Sequence, residues 1–399
     1  MQSKKKDILI LTNFCYDFSE NDNDRFLYVA KMLCEEHDVE IVTSDFYHTE
    51  KRFRNTPVKE WPFKITFLHE TGYAKNVCLK RFYSHYVWGR NVQKYLKTRK
   101  KPDVIYCAVP SLSAPLAAAK YCEKNQIRFV IDVQDLWPEA FQMVFNVPVI
   151  SDILFSPFKI IANGIYKRAD GVCAVSQTYV DRALKVNSKC ETGTSVFLGT
   201  NLDTFDRNAE NNKVERPNNE LRLAYCGTLG SSYDLTCVID ALDLVKKNGY
   251  PPPKFIIMGD GPDKERFEKY ARDKDVNCEF LGRLPYDKMC GVLSSCDMTV
   301  NPITHGAAQS IINKHADYVA AGLPVISTQE SDEYRNLVET YQMGFNCDNG
   351  DASDLANKII LLMNNDNLRM QMGEKARKCA EEEFDRVNSY YSIKEIITE

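Results

Sequence analysis

Long hydrophobic runs are missing from this 399-residue chain: nothing approaches the ~18 consecutive apolar residues of a membrane-spanning helix, so no transmembrane segment is expected. Metal-type cysteine spacing is missing too. The fourteen cysteines are scattered, with no Cys-x-x-Cys pair, and no metal site is expected. Several, such as Cys107, Cys173 and Cys226, sit inside apolar strand-like runs, where a free thiol behaves as a small hydrophobe and fits a reducing cytoplasm. Low-complexity tracts and short repeats are likewise missing. Residues 1–6 lead directly into the apolar run 7–12, which is short, lacks a small-residue cleavage site and reads as a first core strand rather than a signal peptide. What remains is globular: 44% hydrophobic and 27% charged residues, long enough for two domains.

The net charge of −4 conceals one segment without acid. Between Thr71 and Pro102 stand nine Lys or Arg and no Asp or Glu, interleaved with Tyr73, Phe82, Tyr83, Tyr86, Trp88 and Tyr95. Cations with interleaved rings suit an anionic membrane surface, which makes residues 73–101 the expected contact of a cytoplasmic protein peripheral on the inner face of the membrane. A helix with inward-packed rings and solvated charges is the alternative. No nucleic-acid module accompanies the segment, and no nucleic-acid partner is expected.

Short β-rich runs alternate with longer helical patterns, which predicts parallel sheets with crossover helices. In the first half these runs fall at 7–12, 39–43, 65–68, 103–107, 128–133, 171–175 and 195–198. In the second they fall at 221–226, 254–258, 277–281, 297–300, 324–327 and 344–347. Between the halves, 201–220 is rich in Asn and Asp, carries Pro217, lacks apolar periodicity and reads as a linker. Two doubly wound α/β halves follow, with ligands expected in a cleft beyond the carboxyl ends of the strands.

The most informative stretch is 309–327. It reads as a helix beginning on Ser310, Ile311, Ile312 and Asn313, carrying Lys314 and Asp317 on one face, stopping at Gly322 and leading into an apolar strand. Amides at a helix start and a cation suit phosphate, and a carboxylate one turn on suits ribose hydroxyls. A plain helix–Gly–strand unit with a surface salt bridge is the bland alternative. Asn313-Lys314, Asp317-Tyr318 and the run 320–326 resemble the nucleotide-sugar segment of retaining family 4 glycosyltransferases, closest to the branch that builds capsules and O-antigens. That family shows two glutamates eight positions apart; here Gln309 and Asp317 stand at the matching positions.

The resemblance implies the GT-B fold, two Rossmann-like domains facing a cleft: an acceptor-binding domain 1–200, a linker 201–220, a nucleotide-sugar domain 221–375 and a C-terminal helix 376–399 returning to the first domain. Strand-to-glycine turns at Gly227-Thr228 and Gly259 let backbone approach a phosphate closely, and Arg283 follows a third. The resemblance makes these donor-binding residues, Arg283 beside the base. An Arg/Lys pair common just beyond the first turn has no counterpart, which leaves Lys314 as the main cation for the pyrophosphate. On the acceptor side, 131–139 looks like the Asp-Leu-Trp-Pro-Glu turn of the capsule branch, with Gln134 where a His is common and Glu139 as a further candidate. Asp135 would orient the acceptor hydroxyl or take its proton, or cap the next helix. Arg25, heading the helix through Leu33, is expected to face the cleft.

The expected activity is therefore transfer of a sugar from a UDP-sugar to a lipid-linked saccharide, with retention, no metal and no cofactor, and with Asp135 and Lys314 as catalytic groups. Two rivals stay open: a catalytically silent transferase-like subunit, and a UDP-sugar 2-epimerase of the same architecture.

Overall fold

A computed structural model describes residues 4–16, 18, 24–55, 60–76, 78–144, 150–217, 220–307, 311 and 313–399, with backbone alone at 142–144 and 150–152. The chain divides into two units, Met1–Phe197 with Tyr390–Glu399 and Leu198–Ser389.

The first unit is built on β1 (Asp7–Leu11), β2 (Asp38–Ser44), β5 (Lys64–Leu68), β6 (Val104–Val109), β7 (Arg128–Val133), β8 (Gly171–Ala174) and β9 (Thr194–Ser195), with a small antiparallel hairpin of β3 (Phe46–Tyr47) and β4 (Arg52–Phe53) set aside. The seven strands lie in the order β5-β2-β1-β6-β7-β8-β9, and every pair is parallel. Both faces are covered by crossover helices, so Ile8 to Leu11 and Val104 to Val109 are buried along their whole length rather than alternately. The terminal helix Tyr391–Thr398 belongs to this unit. Its Ile393 and Ile397 join the core of Ile8, Ile10 and Val130, and Lys394 reaches Glu36 at 2.8 Å.

The second unit carries β10 (Arg222–Cys226), β11 (Lys254–Met258), β12 (Cys278–Gly282), β13 (Met298–Asn301), β14 (Val325–Ser327) and β15 (Gly344–Asn346), all parallel in the order β12-β11-β10-β13-β14-β15. The order reverses between β10 and β13. The loops leaving those two strands therefore diverge and open a crevice, the usual place for a ligand in such a sheet.

Two expectations need revision. The stretch read as a linker contains the helix Leu202–Asn211, capped by Asn201 Oδ1 accepting from Thr204 N at 2.8 Å. Leu202 and Phe205, three apart, bury one narrow stripe beside the helix Tyr286–Leu293; two apolar residues in ten are too few to show as periodicity. Arg25 does not face a cleft. It is 3% exposed, and all five of its N–H donors are taken. Nε and Nη2 bond Asp132 at 2.7 and 3.1 Å, Nη1 bonds the carbonyls of Val196 and Phe197 at 3.0 and 3.1 Å, and Nη2 also meets Cys173 Sγ at 3.4 Å. Tyr106 donates to the same carboxylate at 2.5 Å. Arg25 ties its helix to the middle of the sheet and leaves nothing for a substrate.

Cutting a buried ion pair on one side strands the other charge, at a cost of about 3–5 kcal/mol. Arg25→Met should lower the stability read from urea unfolding by that amount. A loss under about 1 kcal/mol would show that the pair does not hold the helix to the sheet.

Candidate functional site

In the second unit the site begins where two strands end. Gly227 follows β10 with φ +146, and Gly259 follows β11. The two turns are tied together: Gly227 N donates to Met258 O, and Leu229 N to Asp260 O, both at 2.9 Å. A Cβ on Gly259 would stand 1.8 Å from the Gly227 carbonyl oxygen, so only glycine fits there. Gly259 thus sets the path of the first turn by close backbone approach.

Below that turn lies Lys314, the first residue of the helix Lys314–Ala320. It is 9% exposed, and its Nζ is buried with no hydrogen-bond partner among the described residues. The ammonium sits 3.7 Å from the ring centre of Tyr233 and 4.1 Å from that of Tyr225. Tyr225 is fixed by its hydroxyl donating to Thr228 O at 2.8 Å. A Cβ on Gly227 would meet Lys314 Nζ at 2.8 Å, so the missing side chain is what lets the ammonium reach the turn. Burial without a counter-ion drives the lysine well below its ordinary range. The two rings compensate in part through their π faces.

Asp317, one turn on, forms no ion pair with Lys314. Its Oδ1 accepts from Tyr286 Oη at 2.9 Å, and Tyr286 is braced by Thr200 Oγ1 at 2.7 Å. Burial raises this carboxyl to about 6, against a smaller lowering by Tyr286 and Arg386. The surface salt bridge of the bland alternative is therefore not formed. The helix starts later than the sequence predicts, at Lys314. Asn313 is exposed without capping it, Ile311 is buried, and Gln309, Ser310 and Ile312 lie outside the described residues. Thr228 and Arg283 are both exposed.

In the first unit, the turn after β7 holds Asp135. Its carboxylate accepts from Leu136 N at 2.9 Å and from Trp137 Nε1 at 3.2 Å. It is bonded within its own turn rather than capping the helix Glu139–Val144. Burial raises its proton affinity, and the bonds from Trp137 and Leu136 with the nearby charge of Arg81 pull it partly back. Beside it, Gln134 Nε2 is buried without a partner among the described residues. Glu139 is less available than expected: Arg182 Nε bonds its Oε1 at 2.6 Å and also reaches Asn163 through Nη2 at 2.9 Å.

Around Asp135 the fold also gathers residues that sequence reasoning passed over. His85, 3% exposed, stacks on Trp137 with ring centres 5.6 Å apart. Arg81 lies over Trp137 at 4.7 Å, and His48 meets the Tyr73 hydroxyl at 2.5 Å. Arg81 and His85, four apart on the helix Leu79–Thr98, were the available signal, but they stand in the segment read as a membrane face. That segment is divided in the structure. Tyr73 and Trp88 are buried, and Arg99 is held by Asp7 at 2.5 Å and Glu40 at 2.7 Å. Leu79, Tyr83 and Tyr86 are exposed, as are Ile153, Leu154 and Ile160 on the helix Ile150–Tyr166. The two helices share an aromatic contact, Phe82 against Phe158 at 5.4 Å. Among the described residues, no helix is long and apolar enough to cross a membrane.

Comparison with known proteins bears on the second unit most directly. Residues 206–379 match the model of the family described as Glycosyl transferases group 1. The uncharacterized glycosyltransferase MJ1069 of Methanocaldococcus jannaschii is 23% identical over 240 residues, 60% of each chain. The glycosyl transferase WcaI of Escherichia coli K12, provisionally assigned to colanic acid biosynthesis, is 23% identical over 256 residues, 61% of each chain. The chain thus spans about 60% of the length of these curated relatives. Among solved structures, HepE of Anabaena, crystallised with UDP, superposes with a TM-score of 0.68 over 98% of both chains at 16% identity. The fold is that of the GT-B glycosyltransferases, with a Rossmann-like sheet in each unit.

A lysine buried without a partner costs stability in the empty protein. Lys314→Met, which keeps the stem and removes the amine, should raise the urea-unfolding stability by about 1–3 kcal/mol. A loss of stability would mean that the amine is satisfied in a way the geometry does not contain.

Proposed function

We propose that this chain is a retaining glycosyltransferase that moves a sugar from a UDP-sugar to a hydroxyl of a lipid-linked saccharide, without a metal, in capsule or O-antigen synthesis. The observation that carries the reading is Lys314: a buried, unpartnered cation against a glycine turn at the point where the strand order reverses. Such a group lacks one thing, an anion. The match of 206–379 to a glycosyltransferase family and the UDP complex of HepE support a nucleoside diphosphate as that anion. The relation to WcaI supports a polysaccharide pathway.

In this reading Lys314 neutralises the charge that builds on the β-phosphate as the bond from the anomeric carbon to the phosphate oxygen breaks and its electron pair leaves with UDP. Asp317 accepts from a ribose hydroxyl through the oxygen that Tyr286 leaves open. Asn313, Thr228 and Arg283 are exposed; Gln309, Ser310 and Ile312 lie outside the described residues and join the donor-binding set on the sequence resemblance alone. In the first unit, Asp135 orients the acceptor hydroxyl and takes its proton, helped by a carboxyl made more basic by burial; Gln134 offers a free amide N–H beside it.

The test is UDP binding with its proton balance. In the empty protein Lys314 is held neutral over part of the alkaline range; a bound diphosphate restores its charge. Binding therefore takes up a proton, and affinity falls as pH rises through that window. At alkaline pH the phosphates of UDP are already ionised, so calorimetry in buffers of different ionisation enthalpy, run at several pH values below the ~10.4 of a free lysine, should register uptake by the wild type and none by Lys314→Met. The variant should also bind at least about tenfold more weakly, ~1.4 kcal/mol. Absence of UDP binding by the wild type would sink the transferase reading. Binding of UDP with no donor turned over, across a panel of UDP-sugars and a lipid-linked acceptor, would favour the silent subunit.

Membrane contact is the second part of the proposal, moved from the whole basic segment to one face. Leu79, Tyr83, Tyr86, Ile153, Leu154 and Ile160 form its apolar part, and Lys80, Arg90 and Lys94 are exposed along the first helix. Vesicles containing anionic lipid should bind the wild type and lose most binding when Leu79, Tyr83, Ile153 and Leu154 become Ser. Equal binding by both proteins would remove this face from the membrane.

A further inference from the structure

The cluster beside Asp135 holds two cations that the mechanism above does not use. Arg81 is enclosed by rings, with its guanidinium 4.7 Å from the centre of Trp137, 5.6 Å from Phe14 and 5.7 Å from Tyr73. Nη1 donates to Asn76 O at 2.9 Å, and Nε is buried with no partner. Lys51 lies 5.4 Å over the other edge of the cluster at Tyr73, with Nζ donating to His48 O at 2.5 Å and standing 3.3 Å from His48 Nδ1. Neither cation has a carboxylate within ion-pair distance among the described residues. The carboxylate that Arg81 senses, Asp135, already has both oxygens engaged.

The two imidazoles of the cluster are uncharged at neutral pH. His48 and His85 are each pushed down to about 3, first by burial and then by the cations beside them. Lys51 is itself lowered to about 8 by burial and by Arg81. Two like charges held together among neutral rings repel each other, and the arrangement is unfavourable until an anion arrives. His85 Nδ1, buried and unpartnered, adds a second unsatisfied polar atom to the same cluster.

The chemistry of the anion follows from the donors. Arg81 presents a planar fork and Lys51 a compact point charge, a combination suited to the several oxygens of a phosphate ester. A sugar hydroxyl alone would not need two cations. The members follow the carboxyl ends of strands: Phe14 after β1, His48 and Lys51 after β2 and β3, Tyr73 after β5, Arg81 and His85 on the helix Leu79–Thr98 that comes next, and Asp135 and Trp137 after β7. The anion would therefore sit beside the group that receives the acceptor proton.

We propose that Arg81 and Lys51, walled by Phe14, His48, Tyr73, His85 and Trp137, bind a phosphate or diphosphate carried by the acceptor next to the hydroxyl that Asp135 orients. This rests on the reading of the first unit as the acceptor side. It narrows the acceptor to a phosphorylated one, with the phosphate close to the accepting sugar.

The experiment uses the full chain saturated with UDP, so that inorganic pyrophosphate added afterwards cannot occupy the Lys314 site. Calorimetry should show pyrophosphate binding to the wild type, weakened at least about tenfold in Arg81→Gln and in Lys51→Met, with UDP affinity unchanged in both. The UDP arm separates the two readings: loss of UDP binding in the wild type strikes the transferase proposal, not this site. Lys51 is partly exposed on a turn, so its variant remains informative where Arg81→Gln fails to fold. Equal pyrophosphate affinity in all three proteins, or none in the wild type, would overturn the proposal. If phosphatidic acid vesicles bind in an Arg81-dependent way while pyrophosphate does not, the site belongs to a bilayer headgroup and the acceptor assignment falls.

Discussion

One buried ammonium group without a counter-ion governs the second unit. Lys314 can stand where it does only because Gly227 has no side chain, because Gly259 lets the neighbouring turn press against Gly227, and because Tyr225 and Tyr233 offer it π faces instead of water. Each condition costs something by itself: glycines weaken a chain in its unfolded ensemble, and an unpaired lysine weakens the folded state. Such costs are retained where the empty state is not the working one. A ligand that supplies two negative charges converts the least favourable group in the unit into one of its most favourable contacts.

The first unit follows the opposite logic at one place and the same logic at another. Arg25 and Asp132 are deeply buried, yet every donor and acceptor is matched, so the pair is structural and has nothing to offer a ligand. Arg81, in the first turn of the next long helix, is also enclosed but left incomplete. Burial does not separate structural from functional charges; completeness of the hydrogen-bond set does.

How much of this could be read from the sequence follows the same distinction. The parallel strands were legible because both faces of each are buried, so 8–11 or 255–258 appears as an unbroken apolar run. Lys314 was legible because its helix, glycine stop and strand form one local pattern. Arg25 was misread because the partner that occupies it lies 107 positions away. Arg99 was misread as a free surface charge for the same reason, since Asp7 and Glu40 come from other strands. The hairpin of β3 and β4, two residues a strand, is too short for any period to register. The helix Leu202–Asn211 hid behind an Asn- and Asp-rich composition because two buried side chains hold it in place.

The cluster of Phe14, His48, Lys51, Tyr73, Arg81, His85 and Trp137 was illegible for a further reason: its members come from four separate stretches and meet only because parallel strands deliver all their carboxyl ends to one edge of the sheet. The same topology that made the strands easy to read scatters the site among the loops between them. In the segment 71–102 the basic residues look alike in sequence, yet they divide three ways by surroundings. Arg99 is neutralised by carboxylates, Lys80, Arg90 and Lys94 are solvated, and Arg81 is enclosed by aromatic rings with its Nε unpartnered. Charge count alone led to a membrane face for the whole segment. Once the environment of each charge is known, only the solvated group remains suited to a bilayer, and the enclosed one calls for an anion of its own.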